Sequence, residues 1–261
     1  MKSVFIICFF LTLLQTDLQP TKRFSATSDF ILTDAIGNIY SVKGNNITSY
    51  NSEGQKLFSY ANPFMGDITY ADVKDPMRIL LFFKDFNKAV FLSNKLSELG
   101  SPIELDNAGY SGVSISCTSN LGGFWLFDSQ ALQLVHLNAN LEPVHKGTVL
   151  RNIFKNTAEL PLQLIEDNDI IYMSLPKTGL LVFDKFGTYQ KTLPIANISR
   201  FQVIGDKIIQ FSNNQLYSYN KELNIDSISL PENLKIISAS IYKNQIVASN
   251  SEEIFIFNLQ H

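Results

Sequence analysis

Cysteine is nearly absent from this chain: only Cys8 and Cys117 occur among 261 residues. One thiol outside the extreme N-terminus excludes an internal disulfide framework and a multi-cysteine zinc site. Cys117 reads instead as a small apolar side chain in a strand. Histidine is almost as scarce, with His136, His145 and His261. No two of them have metal-ligand spacing, and no HExxH helix, calcium loop, GxSxG elbow or phosphate-cradling glycine loop appears. The sequence therefore calls for no metal and no cofactor. There are four arginines, Arg23, Arg78, Arg151 and Arg200, too few and too scattered for an arginine triad that binds sialic acid. No block of like charge is present either. The net charge of -3 comes from 21 basic and 24 acidic residues spread along the chain, which leaves no electrostatic footprint for nucleic acid or an anionic membrane.

Long apolar runs are also missing, with one exception. Val4 to Leu14 is interrupted only by Thr12, follows Lys2 and precedes the polar stretch Gln15-Thr16-Asp17. It is far shorter than the roughly 20 residues that a membrane-spanning helix requires. The pattern predicts a cleaved export signal over residues 1–20, with the mature start between about 16 and 22. Export to the periplasm, or to an outer-membrane association, is the expected location.

What the chain does contain is a repeat. Apolar runs end six times in a bulky residue followed by a small polar one: Tyr50-Asn51, Leu92-Ser93, Leu137-Asn138, Phe183-Asp184, Tyr219-Asn220 and Phe257-Asn258. The polar anchors are 42, 45, 46, 36 and 38 residues apart, the period of one four-stranded propeller blade. The fourth repeat is the clearest. Leu162 to Ile165, Ile170 to Ser174, Leu180 to Phe183 and Tyr189 to Ile195 are short β-branched or aromatic runs, bounded by Asp167-Asn168-Asp169, Pro176 to Gly179 and Lys185 to Gly187. Third strands such as Leu180 to Phe183 and Ile254 to Phe257 are apolar at both parities, which predicts a sheet covered on both faces.

These features predict an all-β fold: residues 21–261 as a single β-propeller of six four-stranded blades, with five or seven as the alternatives. The sixth repeat ends one strand short at Leu259-Gln260-His261. Because an open ring leaves an unpaired edge, Lys22 to Ala26 are expected to supply the missing outer strand. Thr148 to Leu160 falls outside the period. With Val149, Leu150, Ile153 and Phe154 at helical spacing behind Thr148, it predicts a short helix on the rim.

Candidate binding residues lie mainly in loops, where rigid scaffolds carry recognition. They are Phe64 and Met65 in Asn62 to Gly66, and Lys84, Asp85 and Phe86 at a hairpin tip. Trp125, the sole tryptophan, is a sixth candidate, as a sugar platform, set against a place in the core. Asp85, Asp128 and Asp184 are the carboxylates to test for hydrolase chemistry, although each has the look of a turn former. Asn46-Ile47-Thr48 and Asn197-Ile198-Ser199 match glycosylation sequons, which matter only in a eukaryotic secretory path.

Thr118 to Trp125 resembles a degenerate Asp-box turn of sialidase-type propellers, with Asn120 where the aspartate is expected. Gly37-Asn38-Ile39-Tyr40 with Ile47 to Asn51 and Gly54 resembles the NHL-type repeat unit. Asn62-Pro63-Phe64, Gly66, Asp75-Pro76 and Ile79 to Phe86, together with Trp125 to Asp128 and Phe183 to Tyr189, are similar to small exported propeller proteins of the Bacteroidetes group. The resemblance implies fold and export and transfers no catalytic residue. The expected function is a non-catalytic scaffold for protein interaction, in an outer-membrane assembly or secretion complex. Its partner would be a cell-envelope protein, through which it would associate peripherally with the membrane. A carbohydrate or cell-wall binding module is the alternative, and a degenerate hydrolase comes third.

Overall fold

The computed structural model describes residues 18–155 and 159–259. The expected export signal, apart from its last three residues, and His261 lie outside the described residues. The strands run β1 (Lys22–Ser25), β2 (Phe30–Thr33), β3 (Ile39–Lys43), β4 (Asn46–Tyr50), β5 (Lys56–Ala61), β6 (Tyr70–Asp72), β7 (Ile79–Phe83), β8 (Lys88–Leu92), β9 (Ile103–Glu104), β10 (Val113–Thr118), β11 (Phe124–Asp128), β12 (Gln133–Leu137) and β13 (Pro143–Lys146). After the helix α1 (Arg151–Phe154) come β14 (Gln163–Asp167), β15 (Ile170–Leu175), β16 (Gly179–Asp184), β17 (Tyr189–Leu193), β18 (Phe201–Ile204), β19 (Lys207–Ser212), β20 (Gln215–Tyr219), β21 (Ile225–Ser229), β22 (Ser238–Tyr242), β23 (Gln245–Ser249) and β24 (Glu253–Asn258). They form six four-stranded antiparallel sheets, the blades of one propeller. Blades one to five take consecutive strands from β2 to β21, and blade six combines β22, β23 and β24 with β1.

The apolar side chains are shared out between neighbouring blades. Every residue of β7 is buried. Ile79, Leu81 and Phe83 join the cluster shared with blade one, while Leu80 and Phe82 join the one shared with blades three and four. In β24, Ile254 and Ile256 pack toward blade one, and Phe255 and Phe257 toward blade five. Successive strand side chains point to opposite faces, so a run apolar at both parities has to be sandwiched.

The polar anchors now have a structural role. Asn51 Oδ1 accepts from the amides of Glu53 and Gln55, and Asn138 Oδ1 from Asn140 and Glu142. Asp184 serves Phe186 and Thr188, Asn220 serves Glu222 and Asn224, and the Ser93 hydroxyl serves Lys95 and Ser97. All five build the same turn between the third and fourth strands. The residue three places on has positive φ: Gly54, Leu96, Leu141, Gly187 or Leu223. Leucine in that conformation costs about 1–2 kcal/mol. Burying the side chain, as Leu96 does in the core between blades one and two, offsets the cost. Asn258, the sixth anchor, accepts from Gln245 Nε2.

Ring closure follows the expected route. β1 pairs with β24 from Lys22 opposite Ile256 to Ser25 opposite Glu253, and Phe24 packs on Tyr50 with ring centroids 5.1 Å apart. Among the described residues of the rim segment, Arg151–Phe154 is helical. Thr148 does not cap it, since its hydroxyl accepts the Tyr189 amide at 2.9 Å. Residues 156–158 of that segment lie outside the described residues. Among the described residues, no helix is long and apolar enough to cross a membrane.

Deleting residues 21–27 removes four ladder residues at about 1 kcal/mol per hydrogen bond. The variant is expected to melt roughly 10 °C lower than the intact chain by calorimetry. An unchanged melting temperature would contradict this closure.

Candidate functional site

Each blade's first strand lines the ring axis and enters it from the same end. Connections between blades, and between second and third strands, therefore share one face, called upper here. A cavity of about 350 Å³ opens on that face, bordered by Asp29, Phe30, Thr69, Lys84, Ser114, Ser199 and Arg200 among others. A second, of about 440 Å³, lies toward the lower face, near Asp34, Asp72, Lys74, Asp167 and Lys243. Leu32, Gln163, Phe201 and Gln202 border both and form the constriction between them.

Side-chain amides acting as surrogate backbone build this constriction. Gln163 accepts from Phe201 N at 2.7 Å and donates to Phe201 O at 3.0 Å, joining blades four and five. Gln202 does the same to Ile241, at 2.7 and 3.1 Å, joining blades five and six. Blade six meets blade one through Ser238 Oγ, which accepts from Ile31 N, and through the Thr33 and Ser240 hydroxyls 2.6 Å apart.

The lower end carries buried carboxylates that the sequence did not single out, and all are engaged. Asp34 accepts from two backbone amides, Asn38 Nδ2 and the Tyr40 hydroxyl. Burial, reinforced by this carboxylate, pushes the Tyr40 phenol well above its ordinary value. Asp72 accepts from Thr118 N and Oγ1 in blade three and from Lys74 N. Glu166 of blade four accepts from Asn120 N and Trp125 Nε1, while Lys74 Nζ donates to Glu166 O and Asp167 Oδ1. The Asp-box-like turn is thus held by Glu166 binding the backbone of Asn120.

Of the six sequence candidates, four are exposed on the upper face. Met65 is buried in the core and anchors its loop, leaving neighbouring Phe64 84% exposed. The loop is closed by Asn62 Oδ1, which accepts from Phe64 N at 3.0 Å. Lys84, Asp85 and Phe86 form a short 3-10 turn, and Phe86 is half exposed. Gly66, at φ 72°, lies so close that a Cβ there would be 3.2 Å from the Phe86 ring, so the two loops abut. Lys84 borders the upper cavity. Trp125, by contrast, is fully buried, with its indole nitrogen 2.8 Å from Glu166 Oε2. It presents no face to a sugar, and Met65 presents none to a partner. Asp128 and Asp184 cap turns, and neither they nor Asp85 border the cavities. No described histidine borders them either. His136 stacks between Trp125 and His145 across three strands, at 4.9 and 5.8 Å, and its Nε2 donates to Gly122 O at 2.7 Å. Cys117 is buried and unpaired, and burial pushes its thiol far up.

The upper cavity holds the feature that sequence reading missed. Arg200, from blade five, crosses the axis. Its guanidinium carbon is 3.5 Å from the Phe30 ring centroid in blade one, and Nη2 donates to Thr69 O of blade two at 3.4 Å. Desolvation lowers its pKa, with Tyr70 opposing. Asp29, the acidic residue among those that border this cavity, is committed elsewhere. Its carboxylate takes Lys43 Nζ at 2.6 Å and Gly44 N at 2.9 Å, which hold it below the usual carboxylate range.

No protein-family model and no curated protein matches this sequence. The fold, in contrast, is matched by 816 solved chains, too broad a set to specify a role. A streptogramin B lyase superposes with a TM-score of 0.61 at 14% identity, covering 92% of this chain and 98% of that one. A chain of the mitotic checkpoint complex gives 0.64 at 7% identity, with 99% and 100% covered. BamB from Moraxella catarrhalis gives 0.51 at 10%, with 88% and 82% covered. At these identities what is shared is the propeller fold itself.

Two outcomes follow from this geometry. Gln163→Ala strands two buried backbone groups and is expected to cost roughly 2–4 kcal/mol, read as a lower urea midpoint with unchanged m. The His136 ring is held neutral, mainly by desolvation, so its pKa is depressed from 6.5. Below about pH 6.5 the unfolded chain therefore binds a proton that the folded chain refuses, and stability falls as pH falls. Urea midpoints between pH 7.5 and 5 should show this slope, and His136→Gln, which keeps a donor for Gly122 O, should flatten it.

Proposed function

We propose that this chain is a non-catalytic, exported propeller that presents a rigid docking surface to a protein partner of the cell envelope, within an outer-membrane assembly or secretion complex. One observation carries the reading. Phe64 stands 84% exposed and Phe86 half exposed on abutting loops of the upper face. An exposed aromatic on a loop anchored from below by a buried neighbour is preorganised for contact, and aromatics dominate binding energy at interfaces. Lys84 and Asp85 beside them supply a polar rim. The scaffold suits the task, since every blade is complete and the loops are held at fixed geometry. The apolar N-terminal run Val4 to Leu14 supports export, and through it the envelope setting. The exposure of Phe64 and Phe86 supports this surface as the docking face.

Capture from the native envelope by the full chain, compared with a Phe64→Ser/Phe86→Ser variant, tests the proposal. A discrete protein retained by the wild type and lost at least tenfold by the variant is the expected outcome. Equal retention by both would refute the surface. Retention of a glycan without any protein would favour the carbohydrate-binding alternative.

A further inference from the structure

Independently of the docking surface, the upper cavity has the makings of a small-molecule site. Three observations converge there. First, Arg200 Nη1 is buried without a hydrogen-bond partner, and the guanidinium forms no ion pair among the described residues. A buried charge without a counterion is costly, and a cation over one aromatic ring recovers only part of that cost. Second, Ser114, only 4% exposed, is among the residues that border the same cavity, and its Oγ is buried without a partner. Third, Ser114 is where the backbone departs from regular pairing. Val113 faces Asp128 and Ile115 faces Phe127, so Ser114 is the extra residue of a β-bulge. The pairings of first with second strand in the other five blades carry no such shift. Bulges re-aim a side chain, and here the bulged residue is one that borders the cavity with Arg200.

We infer that this cavity binds a small organic oxyanion, a carboxylate or phosphate ester, through the Arg200 guanidinium fork and the Ser114 hydroxyl. The planar fork matches either group. Lys84 at the mouth adds a second positive charge, and Asp29 is already neutralised by Lys43. Phe30, Ile115 and Phe201 line the remaining wall and accept an apolar body behind the charged head. About 350 Å³ falls in the range of small-ligand pockets.

Benzoate, phenyl phosphate and neutral benzamide distinguish the possibilities when titrated into the full chain at constant ionic strength, with thermal shift and calorimetry as readouts. Saturable binding of benzoate or phenyl phosphate, with benzamide at least tenfold weaker, is expected. The tighter of the two anions identifies the head group. Arg200→Gln should lose at least tenfold in affinity and Ser114→Ala a few-fold. If Arg200→Gln does not fold, Arg200→Lys, which keeps the charge but not the fork, should still bind several-fold more weakly. The inference is overturned if benzamide binds as well as benzoate, if neither anion saturates by about 10 mM, or if the Arg200 and Ser114 variants bind the anions undiminished.

Discussion

The constraint on which this molecule depends is that its central strands must be covered on both faces. A single blade cannot meet that demand. β7 divides its five buried side chains between two neighbours, and β24 does likewise. Each blade is therefore half of two cores, and closure of the ring satisfies the last of them. The hydrophobic effect drives this stacking, but it is indifferent to register. Register between blades comes from polar contacts near the axis: Gln163 on Phe201, Gln202 on Ile241, Ser238 on Ile31, and Asp72 on Thr118. Such contacts pair buried backbone amides at an axis where the first strands of neighbouring blades face one another without forming a common sheet.

The architecture was legible because its signals are local. A polar residue that accepts from the amides two and four places on leaves its mark within five residues, and five of the six anchors do this. The sixth departs because the strand that would follow it is supplied by the other end of the chain. Double-sided apolar runs were likewise readable within a single strand. The missing strand of blade six was legible by elimination, since Lys22 to Ser25 had no other sheet to join.

The axial chemistry was not legible, for an equally physical reason. Arg200 meets Thr69 across 131 positions and Gln163 meets Phe201 across 38, and neither pairing has a local signature. Arg200 looked like any of four scattered arginines, and Ser114 like an ordinary polar residue in a strand. Trp125 and Met65 illustrate the converse. Their residue types suggest a platform and a sticky loop, but the indole is tied to Glu166 and the Met65 side chain is buried in the core between blades one and two. The Asn62 to Gly66 loop thus divides its labour, with one apolar residue as anchor and the next projecting.

The pairing of β1 with β24 also bears on how the chain reaches its native state. Thr21 bonds Ile256 through both its amide and its hydroxyl, across 235 positions. Synthesis delivers the N-terminal side of that contact well before the C-terminal side. The earliest strand must therefore wait, unpartnered, while five complete sheets assemble behind it. Local hairpins form quickly, whereas long-range pairing is slow. Latching of the ring is thus the natural final step of folding, and until then Ile254 and Ile256 present an open strand edge that a chaperone, or a second unfinished copy, could occupy.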